Sequence, residues 1–155
     1  MNERWRAVGA LAGALFAVNV VARLVIEFGF DGDDSTAADR VSLGMFVVIG
    51  AILATLGFRW GSDRPAGRWT ADIGAAVLAA LLLTIFVGPL LVGNSPFAGG
   101  AGTFFAQIWL YLAAAGAGVL VGYLVVTALG RDYRSRQLAR YAEERTTRPR
   151  RVVGR

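Results

Sequence analysis

The amino-acid sequence predicts an all-α protein: a four-helix transmembrane bundle with both termini in the cytoplasm and a basic helical extension and tail at its C-terminal end. Three observations carry that expectation. Hydrophobic residues fill 55% of the 155 positions and charged residues only 17%, where a soluble domain carries about 25% charge, and the mean hydropathy is +0.53. Four apolar runs, Trp5–Phe28, Val41–Phe58, Trp69–Val92 and Phe104–Leu129, are each long enough to cross ~30 Å of hydrocarbon at ~1.5 Å per residue. The arginines then fix the orientation by the positive-inside rule. Arg4 and Arg6 precede the first run, and Arg59, Arg64 and Arg68 fill the middle connector. The first connector instead carries Asp31, Asp33, Asp34 and Asp39 against Arg40 alone, and the third carries no charge.

The elements follow in order. The first run is too long for a cleavable signal and lacks a small-x-small site after it, so it reads as an uncleaved span. Its opening, "RWRAVGALAGAL", resembles "RWTADIGAAVLAAL" at the start of the third run. A two-hairpin repeat and a chance likeness of Ala/Gly/Leu-rich helices both account for this. Thr36 with Asp39 offers a capping-box-like start to the second helix. Asp72 falls in the first turn of the third, where the helix dipole favours an anion. Gly88–Pro89 predicts a kink or early unwinding late in that helix, and Thr103 is placed to cap the fourth. Trp5, Trp60 and Trp69 are expected together at the cytoplasmic interface. The chain from Arg131 onward holds nine arginines against three acids, a net of +6. It reads as a continuation of the fourth helix followed by a tail, with Arg131, Arg134, Arg136 and Arg140 facing anionic lipid headgroups.

Helices in lipid associate through close backbone approach at small residues. Such residues recur at Gly9, Gly13 and Ala17 in the first helix, at Gly50, Ala54 and Gly57 in the second, and at Ala114, Gly118 and Gly122 in the fourth. Ala75, Ala76, Ala79 and Ala80 give the third a small face. Turning each residue by ~100° puts Leu11, Val18, Val21 and Val25 on the lipid side of the first helix. The same construction puts Asn19, Arg23 and Glu27, spaced by four, beside its glycine row. Gln107 and Tyr111 share the small face of the fourth helix. Asn19, Arg23, Glu27, Gln107 and Tyr111 are therefore expected as one polar cluster inside the outer half of the bundle. Arg23 and Glu27 read either as an i,i+4 ion pair at a helix end or as an intramembrane site for an ion, a polar ligand or a partner helix.

Several chemistries are excluded or disfavoured. With no cysteine and no histidine, thiolate, disulfide, zinc and imidazole-base chemistry is absent. "DGDD" (31–34) has aspartates at alternate positions but lacks the rest of a calcium loop. "GGAG" (99–102) precedes a helix without a following lysine. No nucleophile–base pair or catalytic carboxylate pair stands out, and no aromatic-interleaved basic fold marks nucleic-acid binding. No enzyme activity, cofactor or metal is expected. The length and four-span plan resemble the small multidrug transporters in outline, but Glu27 lies at the edge of its helix rather than deep within it, so no residue role is carried over. Two functions fit: a non-enzymatic accessory or assembly subunit of a larger membrane complex in the plasma membrane, or a small oligomeric transporter or channel using the polar cluster.

Overall fold

In the computed structural model, which describes residues 3–30 and 35–147, every element is helical. The order is α1 Glu3–Gly29, α2 Ser35–Asp63, α3 Ala66–Leu82, a π-helical turn Leu83–Val87, α4 Gly88–Leu91, α5 Gly100–Ala128 and α6 Tyr133–Thr147. α3, the π turn and α4 follow without interruption. The chain thus has four helices long and apolar enough to cross a membrane, as a membrane protein has. α2 runs well past its apolar stretch at both ends, because propagating an existing helix gains one backbone hydrogen bond per residue even where side chains are polar. The "DGDD" segment lies outside the described residues.

The ends at which α1 starts and α2 finishes are called proximal here, the opposite ends distal. The most extensive packing is not between sequence neighbours: α5 packs on α2 and α1 on α3, while α1 also touches α2. Gly50 faces Ala114 and Gly118, Ala54 faces Gly122, and Gly61 faces Val126, so α2 and α5 run parallel. Their backbones touch. A Cβ on Gly57 would lie 2.8 Å from the Val119 carbonyl oxygen, and one on Gly118 or Gly122 would run into the backbone of Gly50 or Ala54. The small residues expected to pack on these two helices do so, since only hydrogen at Cα permits that approach.

On α1 the outcome differs. Gly9, Gly13 and Ala17 are exposed, and nothing within the chain lies within 4 Å of where a Cβ on either glycine would stand. The buried face is Val8, Leu11, Ala12, Leu15, Asn19 and Ala22. Leu11, expected toward lipid, is in the core, and Val18 packs against it. The reason is complementarity of size. α3 supplies the small surface, with Ala76 and Ala80 fully buried, so α1 must supply bulk such as Leu15 to fill the space. Trp69 also leaves the interfacial role: it is 3% exposed and packs on Tyr123 with ring centroids 5.5 Å apart. Trp5 stays exposed, and the Arg64 guanidinium lies 4.8 Å from the centre of the Trp60 ring.

Two helix ends depart from expectation. α5 starts at Gly100, whose φ of +77° favours glycine, and Thr103 caps nothing. α5 does not continue into the basic extension. Gly130 takes φ +63°, its N–H bonds to Thr127 O at 2.9 Å, and the Arg131 N–H bonds to Val126 O at 3.0 Å. This is a Schellman stop. α6 then starts afresh, with Asp132 accepting from the Arg134 and Ser135 N–H groups at 3.2 Å each. The Ser135 hydroxyl also donates to it, and that bond is the main reason the Asp132 carboxyl titrates below its ordinary 3.8, the backbone N–H bonds adding to it against desolvation. A depressed carboxylate stabilises the fold above its unfolded pKa and loses that contribution as pH falls through the folded value. Helicity of residues 133–147 should therefore drop on acidification below about pH 4. Asp132→Ala should remove both the helicity and its pH dependence, as amide exchange at Arg134 and Ser135 would record.

Candidate functional site

The site begins with a backbone defect. In the π turn the Gly88 N–H bonds to Leu83 O, five residues back. The next acceptor in that register is the Thr84 carbonyl, and the residue that should serve it is Pro89, which has no N–H. Arg23 of α1 fills the gap: its Nη2 donates to Thr84 O at 3.5 Å, at the long limit of such bonds. Its Nε donates to Asn19 Oδ1 at 2.9 Å, and Asn19 Nδ2 donates onward to Met45 Sδ of α2 at 3.1 Å. Gly88 makes the arrangement possible, because a Cβ there would stand 2.9 Å from Arg23 Nε and 3.2 Å from Asn19 Oδ1. The expected kink is thus a π turn, and its freed carbonyl orients an arginine.

Arg23 also faces an open cavity of about 390 Å³ at the distal end, lined by α1, α2 and α5. Its polar walls are Asn19, Arg23, Asp39, Ser42, Thr103 and Gln107, above Met45, Phe46 and Leu110. Asn19, Arg23 and Gln107 are therefore together. Glu27 is not: it is exposed, and among the described residues it forms no ion pair with Arg23. The guanidinium is turned toward Thr84 and Asn19, while Glu27, one turn further on, stays exposed. Tyr111 is 1% exposed and belongs to the core rather than to the cavity wall. Its hydroxyl and Thr84 Oγ1 have no protein hydrogen-bond partner.

A second polar group lies at the proximal end. Asp72 is buried, accepts from Arg4 Nε at 2.7 Å, and stands 3.7 Å from Arg64 Nη1. It ties the start of α1 and the α2–α3 connection to α3, in place of the helix-dipole role expected of it, because α3 already begins at Ala66 and has no acid in its first turn. The available signal was an acid inside an apolar run with arginines ahead of two neighbouring segments. Arg131, Arg134, Arg136 and Arg140 are all exposed, and Arg136 pairs with Asp63 at 3.5 Å. Asp39 and Ser42 went unnoticed as site residues because they precede or open the second apolar run. Only the position of α2 against α1 brings them to Arg23.

Among the described residues no three His, Cys, Asp or Glu side chains gather to hold a metal. What the distal cluster can do is present fixed donors to an anionic oxygen beside an acidic wall. No family model, curated protein or solved structure matches the chain, so the functional reading rests on these residues.

Proposed function

We propose that the protein is a transmembrane four-helix bundle of the plasma membrane, both termini cytoplasmic, acting as a non-enzymatic accessory subunit within a larger membrane assembly. The observation that carries this is the apolar middle of the bundle, which separates the distal cluster from the proximal Asp72 group. Below Asn19 the interior is filled by Leu15, Ile49, Leu53, Ile85 and Tyr111, each at most 4% exposed. A conduit needs polar groups at successive depths, and those side chains offer only the Tyr111 hydroxyl. The outward Gly9–Gly13–Ala17 row and the exposed arginines of α6 are the surfaces offered to a partner helix and to anionic headgroups.

Native mass measurement after gentle detergent extraction tests the proposal. The expected result is a defined complex with a second polypeptide, lost in Gly13→Leu while the thermal stability of the chain itself is unchanged, because that position has open space around it. A homo-oligomer that carries solute flux in proteoliposomes would replace this proposal by the transporter alternative, in which the distal cavities of several copies meet. Orientation has its own check, since the chain has no cysteine. Ser95→Cys should react with an impermeant thiol reagent on intact cells, and Gly67→Cys, at the exposed proximal start of α3, should not. The reverse pattern would invert the topology.

A further inference from the structure

We infer that the distal cavity is a headgroup site for a zwitterionic phospholipid, with the phosphate on Arg23 and a primary ammonium at Asp39. Four observations lead there. First, Arg23 is held through Nε and one Nη2 hydrogen, which leaves the other N–H groups of its planar fork, among them both on Nη1, for an incoming anion. Held in place, it binds without losing further side-chain freedom.

Second, the cavity carries both signs of charge without internal neutralisation. Arg23 and Asp39 line the same space of about 390 Å³, yet no ion pair joins them, the described pairs being Arg4–Asp72, Arg64–Asp72 and Arg136–Asp63. Opposite charges that share a small cavity and do not meet fit a ligand that bears both. Third, their depths are ordered as in a headgroup. Arg23 lies six residues inside the end of α1 and Asp39 four residues inside the start of α2, so Arg23 is about 3 Å deeper at ~1.5 Å per residue. A phosphate below and an ammonium above is the order of a phospholipid seated from the distal surface.

Fourth, an apolar path leaves the site in the direction acyl chains take. Phe46 lines the polar cavity and also a groove of about 450 Å³ along the α2–α5 seam, floored by Gly50, Ala54, Ala114 and Gly118. From Phe46 to Ala54 that seam covers about 12 Å of helix. A soluble zwitterion would use the cavity and leave the groove idle. An anionic lipid without an ammonium would meet Asp39 with nothing to offer it, which costs affinity rather than adding it.

The test uses the delipidated full chain in detergent, titrated with phosphatidylethanolamine, phosphatidylglycerol or soluble phosphoethanolamine, and read by native mass and thermal shift. Phosphatidylethanolamine should bind one per chain and raise the melting temperature, phosphatidylglycerol should bind about tenfold more weakly, and phosphoethanolamine should not saturate. Asp39→Asn, at an exposed position that leaves the core intact, should erase the preference between the two lipids. Arg23→Gln should weaken both. Equal binding of both lipids by the unaltered chain, an unchanged preference in Asp39→Asn, or saturable binding of phosphoethanolamine alone would overturn the assignment.

Discussion

Gly122→Leu should abolish the native packing of α2 against α5, with a loss of stability above ~3 kcal/mol, beyond the usual cost of overpacking a core. The size follows from what the new side chain meets. Even its Cβ would enter the backbone of Ala54, and backbone cannot rotate out of the way. The same helix supplies the control. Gly116→Leu, where nothing lies within 4 Å, should leave the melting temperature in detergent unchanged, and Gly50→Ala should be tolerated because its Cβ would sit 3.7 Å from the Ala114 oxygen. A melting temperature lowered equally at Gly116 and Gly122 would mean that the seam does not hold these helices together.

That series also marks how far the sequence could be read. The four helices were legible because hydropathy and length are properties of each segment alone. The α2–α5 seam was legible because a small residue every four positions has few other uses in lipid. The α1 face was not. Glycine and leucine rows both run along that helix, and which one turns inward depends on the bulk of the partner. Since α3 presents alanines there, Leu15 goes in and Gly13 goes out. The fate of the polar stripe shows the same limit. Asn19 and Arg23 could be placed inward by spacing, but Glu27 could not be separated from them without the freed carbonyl of Thr84, which belongs to a different segment.

The second large effect concerns that carbonyl. Arg23→Ala should cost about 1–3 kcal/mol, the price of leaving a buried acceptor unserved, with Asn19 Oδ1 losing its donor as well. Restoring an N–H on the other side should cancel much of the loss. In Pro89→Ala the new amide can serve Thr84 O itself, so Arg23→Ala in that background should be nearly silent. Glu27→Ala should change nothing in either background. This differs from an Arg23–Glu27 ion pair, for which the coupling would lie between those two residues and be insensitive to position 89. A thermal-stability cycle over Arg23, Pro89 and Glu27 separates the two, and additive effects at Arg23 and Pro89 would remove the π turn from the account of the site.

The parallel seam between α2 and α5 also has a consequence in time. Gly50 is synthesised roughly seventy residues before the Gly118 that covers it, a wait on the order of several seconds at ~5–20 residues per second. Through that interval α2 sits beside the growing chain with its backbone groove open. In the folded chain α1 and α3 leave that groove to α5, since those two helices pair with each other through leucine and alanine instead. A chain halted before Phe104 should be a substrate for quality-control proteases even though three of its four spans are complete, and the last span acts as the latch that ends its vulnerability.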